Sequence, residues 1–510
     1  MGGHLSKSNT AAPQEKLGHR RRDDMGTGQK EELCLEDVHA SEKGALIGPS
    51  RIAQGLPLDT VSEMPRRILQ DPKNRLALRA LSSSNPKQIL TSQATRMADQ
   101  QIFNIKLPFE GAPITNQRSS GRCWIFASTN VFRVALMKKY KLDAFELSQA
   151  YVFYWDKLEK SNWFLEQMID TAGEPLDGRL VQTLLGDPVS DGGQWDMAYN
   201  LVDKYGLVPQ VIYPDSWNAK NSGVLNSILT TKLREFGLKL RDMLRNPGQS
   251  SGTVESAKVG MMREVQQVLT LLLGPPPKPT EAFTWQYKDS EGTAHELSIK
   301  PVAFAKDIWS AELRISSAVI ESMLCLVHDA RHQPLSLLTV SRLGNVVGGR
   351  DIRYINVDME TIKSACVHMV KAGLPVFFGC DVGKASDSAS GIMDTDLFDW
   401  EVGLGTGLDG MSKAQRLQAG QSQMTHAMVL TAVHVDQETG RPVRWRVQNS
   451  WGAESGDKGW FVMADGWMDE YVFEAVVDAR FCSKEVRQVV DREPEVLPLW
   501  DPMGALAAAM

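Results

Sequence analysis

A loop that runs directly into a helix at a cysteine is the feature that most constrains this chain. Residues 116–127 read NQRSSGRCWIFA, so turn-forming residues give way abruptly to helical apolar spacing. Cys123 should therefore lie at a helix N-terminus, where unpaired N–H groups and the helix dipole favour a thiolate. Gln117 lies six residues upstream, and its amide could donate a hydrogen bond to an oxyanion. A lone cysteine here is more often structural, so a nucleophile needs partners elsewhere.

Two polar residues downstream supply what a cysteine nucleophile requires. His426 opens an apolar stretch that predicts a buried strand. A second, alternating stretch predicts a half-buried strand that ends at Asn449. A thiolate needs a base that takes and returns its proton, and the base needs a third group to hold its tautomer. Cys123, His426 and Asn449, with Gln117 for the oxyanion, form such a set.

The order of these four residues resembles the papain-like cysteine peptidases, peptidase family C1. The resemblance implies an α+β fold, with a helical part that carries the cysteine and an antiparallel β-barrel part that carries the histidine and asparagine. It also implies that no metal or organic cofactor is needed. His426 follows Cys123 by 426 − 123 = 303 residues, whereas simple papain-type enzymes need roughly 130–150. The surplus predicts a large insertion.

Four local strings narrow the resemblance to one branch of this family. They are SGRCW at 120–124, MTHAM at 424–428, NSWG at 449–452 and WDPMGALA at 500–507. Together they resemble the cytosolic, self-compartmentalising cysteine aminopeptidases, over about residues 58 to 507. The resemblance implies a homohexameric cage with its sites on an inner channel. It also implies peptide and small-amide substrates, and cyclic thioesters such as homocysteine thiolactone.

The same resemblance assigns substrate-binding residues. In this family a Gly-Gly pair, here Gly192 and Gly193, lines the cleft through backbone hydrogen bonds. Spacing alone equally favours a helix-starting turn that uses glycine for a positive φ. Trp451 is expected to shield the His426–Asn449 pair from solvent.

The C-terminal residues are expected to set the reaction mode. In the branch that this chain resembles, the last residues enter the cleft, and the terminal carboxylate receives the free α-amine of the substrate. Ala507 matches that ending, but residues 508–510 run past it. We expect the enzyme to trim these residues. The alternative is a frayed terminus that leaves the cleft open to endopeptidase cleavage.

Composition shifts and strong breakers divide the chain into five predicted segments. They are a disordered tail over 1–57, the helical part over 58–217, a helical insertion over 218–345, the β-barrel part over 346–490 and a cleft-entering tail over 491–510. Asn246-Pro247-Gly248 and three prolines at 275–277 bound two amphipathic helices within the insertion.

Bulk composition favours an intracellular protein. Its 510 residues carry a net charge of −6, which argues against an overall nucleic-acid footprint. Weak binding of single-stranded nucleic acid by an assembled ring stays open as an alternative. The six cysteines show no paired spacing, and we see neither a membrane-spanning run nor a signal-peptide core. We therefore expect reduced cysteines and a cytoplasmic location.

The first residues of the chain leave two other locations open. The start MGGHLS fits the Met-Gly-x-x-x-Ser pattern for myristoylation at Gly2. One acyl chain binds membranes marginally, and the arginines at 20–22 could add an electrostatic signal. A mitochondrial leader is the competing interpretation, although an early apolar helical face is missing.

Other candidate sites are weak. His328 and His332 have the spacing of a metal site but lack the glutamate of the His-Glu-x-x-His motif. Cys366 and Cys380 fall on predicted core elements, where a buried structural thiol is the usual role.

Overall fold

The fold is taken from a computed structural model of the chain. It describes residues 55–245, 251–311 and 315–507. The predicted tail over 1–57 lies almost wholly outside the described residues, as do the Gly2 acylation pattern, the arginines at 20–22 and residues 508–510.

Eighteen α-helices occur in the described ranges, and none of them is long and apolar enough to span a membrane. They are α1 Leu58–Ile68, α2 Pro72–Leu81, α3 Pro86–Ile89, α4 Gln93–Ala98, α5 Cys123–Lys139, α6 Gln149–Asp170, α7 Arg179–Gly186, α8 Trp195–Tyr205, α9 Trp217–Lys220, α10 Gly223–Arg245, α11 Ser251–Leu273, α12 Pro301–Lys306, α13 Ser317–Glu321, α14 Met359–Lys371, α15 Trp400–Leu404, α16 Lys413–Gln418, α17 Asp465–Tyr471 and α18 Lys484–Gln488. Three 3-10 turns follow late in the chain: Ala479–Phe481, Val489–Asp491 and Pro502–Ala507.

Sixteen strands complete the described elements. They are β1 Ile105–Lys106, β2 Phe283–Lys288, β3 Ala294–Ile299, β4 Trp309–Ser310, β5 Ile315–Ser316, β6 Leu324–Val327, β7 Ser336–Val340, β8 Tyr354–Asn356, β9 Val376–Cys380, β10 Ser386–Asp387, β11 Ile392–Met393, β12 His426–Val435, β13 Pro442–Gln448, β14 Trp460–Ala464, β15 Val472–Val477 and β16 Glu495–Leu497.

One mixed sheet of twelve strands organises the catalytic half of the chain. Its order is β10-β11-β14-β13-β12-β9-β15-β6-β8-β7-β16, and β1 pairs with β12 outside that path. Most neighbours are antiparallel, as predicted, but β11 with β14, β6 with β8 and β16 with β7 run parallel. Strand β12 pairs with both β9 and β13. Its first eight residues are buried, which accounts for its continuous apolar run.

Helix α5 is buried around its whole circumference. Every residue from Cys123 to Met137 is buried, so the helix lacks the polar face of a surface helix. Its polar residues use local partners: the hydroxyls of Ser128 and Thr129 donate to the carbonyls of Trp124 and Ile125 one turn earlier. The helix packs against β12. Its N-terminal residue therefore faces the strand that begins at the predicted histidine.

The predicted helical insertion is only partly helical. Helices α10 and α11 pack on each other and on α6, and most of the apolar stripe of α10 is buried, although Ile228 and Leu244 are exposed. The remainder of residues 218–345 includes the hairpin of β2 with β3 and the strands β6 and β7. Strands β6 and β7 join the large sheet, which their short apolar sequences did not distinguish from helix.

Glu474 is a buried carboxyl in the middle of that sheet. It lies on β15 and is fully buried. Burial, with a smaller contribution from the charge of Asp196, raises its pKa from 4.5 to about 8, although a hydrogen bond with Cys325 acts in the opposite direction. The folded protein therefore holds a proton here that the unfolded chain releases near its ordinary pKa.

This difference predicts that stability falls as pH rises. Between about 4.5 and 8 unfolding releases the Glu474 proton, so a higher pH favours the unfolded state. At about 1.4 kcal/mol per pKa unit, the effect amounts to several kcal/mol. Urea unfolding from pH 5 to 9 should show this slope in the wild type, and Glu474→Gln should flatten it. Exposed Glu493 offers a control, since Glu493→Gln should leave the slope intact; a Glu474→Gln variant with the wild-type slope would contradict the assignment.

Candidate active site

Cys123 is the first residue of α5, as its sequence context predicts. Arg122 precedes it as the N-cap and makes no side-chain capping bond. The guanidinium of Arg122 is instead buried against Asp215, with 2.8 Å between Nη1 and Oδ1. Its Nε donates to the Ser120 hydroxyl at 2.9 Å. The loop before the nucleophile is therefore fixed by its side chains while the backbone N–H groups of the first helical turn stay directed at the sulfur.

His426 and Asn449 are in contact, although 23 residues separate them. The imidazole Nε2 lies 2.9 Å from the Asn449 Oδ1, which also accepts the Ser450 backbone N–H at 2.8 Å. An amide oxygen can only accept, so the neutral ring carries its proton on Nε2 and leaves Nδ1 basic. The Trp451 ring lies 4.9 Å from the imidazole, centroid to centroid, and covers the pair.

Gln117 is held at both ends of its side-chain amide. Its Oε1 accepts a hydrogen bond from the Ser450 hydroxyl at 2.7 Å, and its Nε2 donates to the Ser120 carbonyl at 2.7 Å. Its backbone N–H also donates to the Ser450 carbonyl at 2.8 Å. A primary amide has two N–H bonds, so one remains for a substrate oxygen. Gln117 is thus fixed in orientation by the residue that follows Asn449.

The protonation states of Cys123 and His426 differ from the sequence-based expectation. Burial raises the pKa of the Cys123 thiol to about 11, although the backbone N–H groups of Ala427, Trp124 and Cys123 act to lower it. Burial likewise lowers the pKa of His426 to about 4, against the opposing effect of its bond to Asn449. The helix terminus acts in the expected direction, but burial has the larger effect on the pKa of Cys123. Desolvation outweighs the dipole, and both groups rest neutral near pH 7.

The Gly192–Gly193 segment lies against the nucleophile helix and against the chain's own C-terminal tail. A Cβ on Gly193 would come within 2.4 Å of the Trp124 ring, and positive φ occurs at neither glycine. Close approach, rather than a left-handed turn, therefore explains why this position lacks a side chain. The Gly193 N–H donates to the Leu506 carbonyl at 3.0 Å. The tail is thus hydrogen-bonded to the Gly-Gly segment through Leu506, immediately before Ala507.

Asp191 joins these parts, and the sequence analysis did not single it out. Its Oδ2 accepts the Gly121 N–H at 2.9 Å, in the loop before the nucleophile, and its backbone carbonyl accepts the Trp124 indole N–H at 2.7 Å. Lys157 pairs with its Oδ1 at 2.6 Å, and Asn226 of α10 donates to the same oxygen at 2.8 Å.

These partners keep Asp191 ionised. Burial raises its pKa, but the charge of Lys157 and the hydrogen bonds outweigh burial and hold the pKa well below its usual range. Its charge also contributes to the raised pKa of Cys123. A buried Lys–Asp pair thus connects the nucleophile loop, the Gly-Gly segment and the insertion. Only the adjacency of Asp191 to the two glycines could have indicated it from sequence.

The weaker candidates stay outside this constellation. Cys366 and Cys380 are buried, and burial raises the pKa of Cys366 above the ordinary range. His332 pairs with Glu495 at 3.2 Å, and burial lowers the pKa of His328 to about 4. No group of three or more potential metal ligands occurs among residues that the structure describes.

Comparison with known proteins finds a family model, curated relatives and a solved structure that each match most of the chain. The Peptidase C1-like family model matches residues 55–504. Bleomycin hydrolase of Mus musculus is 42% identical over 459 residues, which cover 89% of this chain and 99% of the mouse protein. Cysteine proteinase 1, mitochondrial, of Saccharomyces cerevisiae strain YJM789 is 39% identical over 464 residues, covering 90% and 94%. The crystal structure of PepW from Lactobacillus rhamnosis HN001 superposes with a TM-score of 0.84 at 36% identity, over 89% of this chain and 100% of that one.

The Asp191 network predicts a rate effect separable from stability. Asp191→Asn should destabilise the fold by about 3 kcal/mol, because Lys157 is left buried without its counter-charge. It should also lower kcat for a peptide substrate on the order of tenfold or more, because the nucleophile loop loses its anchor. The measurements are urea unfolding and steady-state kinetics.

A control on other elements is the Lys363–Asp465 pair, joined at 2.7 Å, in which Lys363 is buried and Asp465 is partly exposed. Asp465→Asn should reduce stability by less, because Asp469 also pairs with Lys363 at 2.6 Å, and should leave kcat near the wild-type value. Equal kcat values for the two variants would refute a positioning role for Asp191.

Proposed function

The chain belongs to the Peptidase C1-like family and is a cysteine-type peptidase, and we propose that it acts as an aminopeptidase through Cys123, His426 and Asn449. The observation that carries the aminopeptidase mode is the hydrogen bond from the Gly193 N–H to the Leu506 carbonyl. The chain's own end then fills the cleft that a longer substrate would need.

Acylation begins with transfer of the Cys123 proton to Nδ1 of His426. Because burial disfavours each charge separately, the thiolate and imidazolium form as a mutually stabilising pair while substrate excludes water. The thiolate attacks the carbonyl carbon, and the oxyanion accepts hydrogen bonds from the second Nε2–H of Gln117 and the Cys123 backbone N–H. His426 then protonates the departing amine.

Deacylation reverses these proton movements. A water loses its proton to Nδ1 of His426 and attacks the thioester, and the thiolate leaves with the proton returned to it. Asn449 keeps the ring oriented through both halves, because its Oδ1 accepts from Nε2 in either charge state. Trp451 keeps bulk water from that hydrogen bond, since its ring lies 4.9 Å from the imidazole.

The tail converts this machinery into an aminopeptidase. With Leu506 paired to Gly193, the terminal carboxylate of Ala507 would lie where the α-amine of a short substrate arrives. A carboxylate attracts that ammonium group and rejects an N-blocked peptide. Substrates would be peptides with a free N-terminus and small amides of the kind named by the bleomycin hydrolases, and thioesters such as homocysteine thiolactone would suit the same nucleophile.

Assembly and location follow as parts of the same proposal. We propose a homohexamer with its sites on an inner channel, and the exposed apolar residues of α1, Leu58, Val61 and Ile68, supply surface for a subunit contact. We propose a cytoplasmic enzyme, with peripheral membrane attachment through acylated Gly2 or a mitochondrial location as the alternatives.

The nucleophile assignment predicts a clean loss of activity. Cys123→Ala should reduce turnover of an aminoacyl-coumarin to background without loss of thermal stability, because the side chain is small and its role is chemical. Cys380→Ala removes an equally buried thiol next to the site and should retain activity. Substantial turnover by Cys123→Ala would show that another residue is the nucleophile.

The tail mechanism predicts self-processing. Residues 508–510 continue past Ala507, and in this mechanism they would occupy the position of a substrate beside Cys123. Intact-mass spectrometry should find the active enzyme ending at Ala507, and Cys123→Ala ending at Met510. A full-length active enzyme that also cleaves N-blocked peptides would contradict the carboxylate anchor.

A further inference from the structure

The C-terminal tail is tied to the body of the protein by a buried guanidinium. Arg331 donates from Nη2 to the Asp501 Oδ1 at 2.7 Å, and the two side chains are 14% and 8% exposed. Asp501 in turn begins the last 3-10 turn, because the same oxygen accepts the Met503 N–H at 2.9 Å. Its backbone carbonyl accepts the Gly504 N–H at 2.9 Å. One carboxylate therefore both anchors the tail and sets the turn that follows.

Arg331 cannot move freely, because a second carboxylate holds it. Its Nε donates to the Asp329 Oδ1 at 2.9 Å and its Nη2 to the Asp329 Oδ2 at 2.7 Å. Asp329 is itself buried, and its backbone N–H donates to Asn356 of β8 at 2.8 Å. Burial opposes the charge of Arg331, but the hydrogen bonds to both carboxylates outweigh it and raise its pKa above the usual range.

The apolar side chains of the tail beyond Asp501 hold the tail to the protein but do little to fix its position along the chain direction. Met503 and Leu506 are buried apolar side chains, and burial of apolar surface is non-directional. Such contacts resist removal of the tail but tolerate sliding along the cleft. A shift by one residue would move the Leu506 carbonyl away from the Gly193 N–H and change the length of substrate that fits. The pairing of β16 with β7 fixes the chain as far as Leu497. Beyond it, the charge-assisted contact of Asp501 is the strongest directional contact at the start of the turn.

We propose that Arg331, fixed by Asp329 and bound to Asp501, is the positioning residue that sets the register of the C-terminal tail and thereby the exclusion of N-blocked peptides. This deepens the proposed function and rests on it. Arg331 acts through the tail and touches no reacting atom. Its removal should therefore change selectivity between free and blocked substrates more than it changes the chemistry at Cys123.

The experiment compares cleavage of one peptide in its free-amine and N-acetylated forms. Asp501→Asn keeps the shape of the side chain and its turn bond but loses the charge. Arg331→Lys keeps a charge but loses the planar fork. Both variants should raise the ratio of blocked to free cleavage at least tenfold and should retain Met510 by mass spectrometry. Should Arg331→Lys fail to fold, Asp501→Asn decides.

The chain offers a matched control in the Asp478-Ala479-Arg480 segment. There Arg480 donates from Nε to Asp478 at 2.8 Å, in a separate arginine–aspartate pair that has the same sequence spacing as Arg331 and Asp329. Arg480→Lys should leave both the selectivity ratio and the trimmed terminus unchanged.

Truncation after Trp500 tests the role of the tail separately from the role of Arg331. If the truncated enzyme cleaves N-blocked peptides while folded Asp501→Asn keeps wild-type selectivity and trimming, the tail sets the reaction mode but Arg331 does not position it. If the truncated enzyme still excludes N-blocked peptides, the tail mechanism itself fails and the inference fails with it.

Discussion

The packing of α5 against β12 is the contact on which the rest of the site depends. Because α5 is buried on every side, its N-terminus cannot reach solvent, and Cys123 lies beneath the protein surface. The backbone N–H of Ala427, the residue after His426, lies against the sulfur. The site is therefore made where a wholly buried helix meets the start of a wholly buried strand. The side chains of Cys123 and His426 therefore lie in surroundings of low polarity.

Burial at that junction raises the pKa of the Cys123 thiol, whereas a helix N-terminus by itself would lower it. The dipole and the N–H groups favour a thiolate, but their effect is smaller than the cost of placing one charge in an apolar interior. Cys123 and His426 are therefore each neutral. Asp191 is ionised, because the charge of Lys157 stabilises its carboxylate. In the proposed mechanism Cys123 and His426 likewise become charged only as a pair.

Much of the fold could be predicted from local sequence, because several elements carry complete signals. The stripes of α10 and α11 end at Asn-Pro-Gly and at prolines, and Asp358 caps the start of α14. The parallel partners β6 and β8 escaped prediction as neighbours, because each is short and their pairing depends on residues far apart in the chain. For the site, the chemical requirements of a cysteine nucleophile pointed to Cys123, His426, Asn449 and Gln117, and the structure brings His426 to Asn449 and Gln117 to Ser450. Asp191 and Arg331 escaped because their partners lie on distant elements, and an acidic or basic residue in isolation most often marks a solvated surface.

Asn449 and Ser450 are consecutive, yet they bind two different side chains of the proposed site. Asn449 fixes the imidazole of His426, and Ser450 fixes the amide of Gln117 through a hydroxyl and a backbone carbonyl. A change that displaces the segment after β13 would therefore disturb the imidazole of His426 and the amide of Gln117 together. Because Gln117 is also bonded to Ser120 in the loop that leads into α5, the same displacement would reach the residues just before Cys123. The two sides of the proposed site are thus joined at one short segment of the chain.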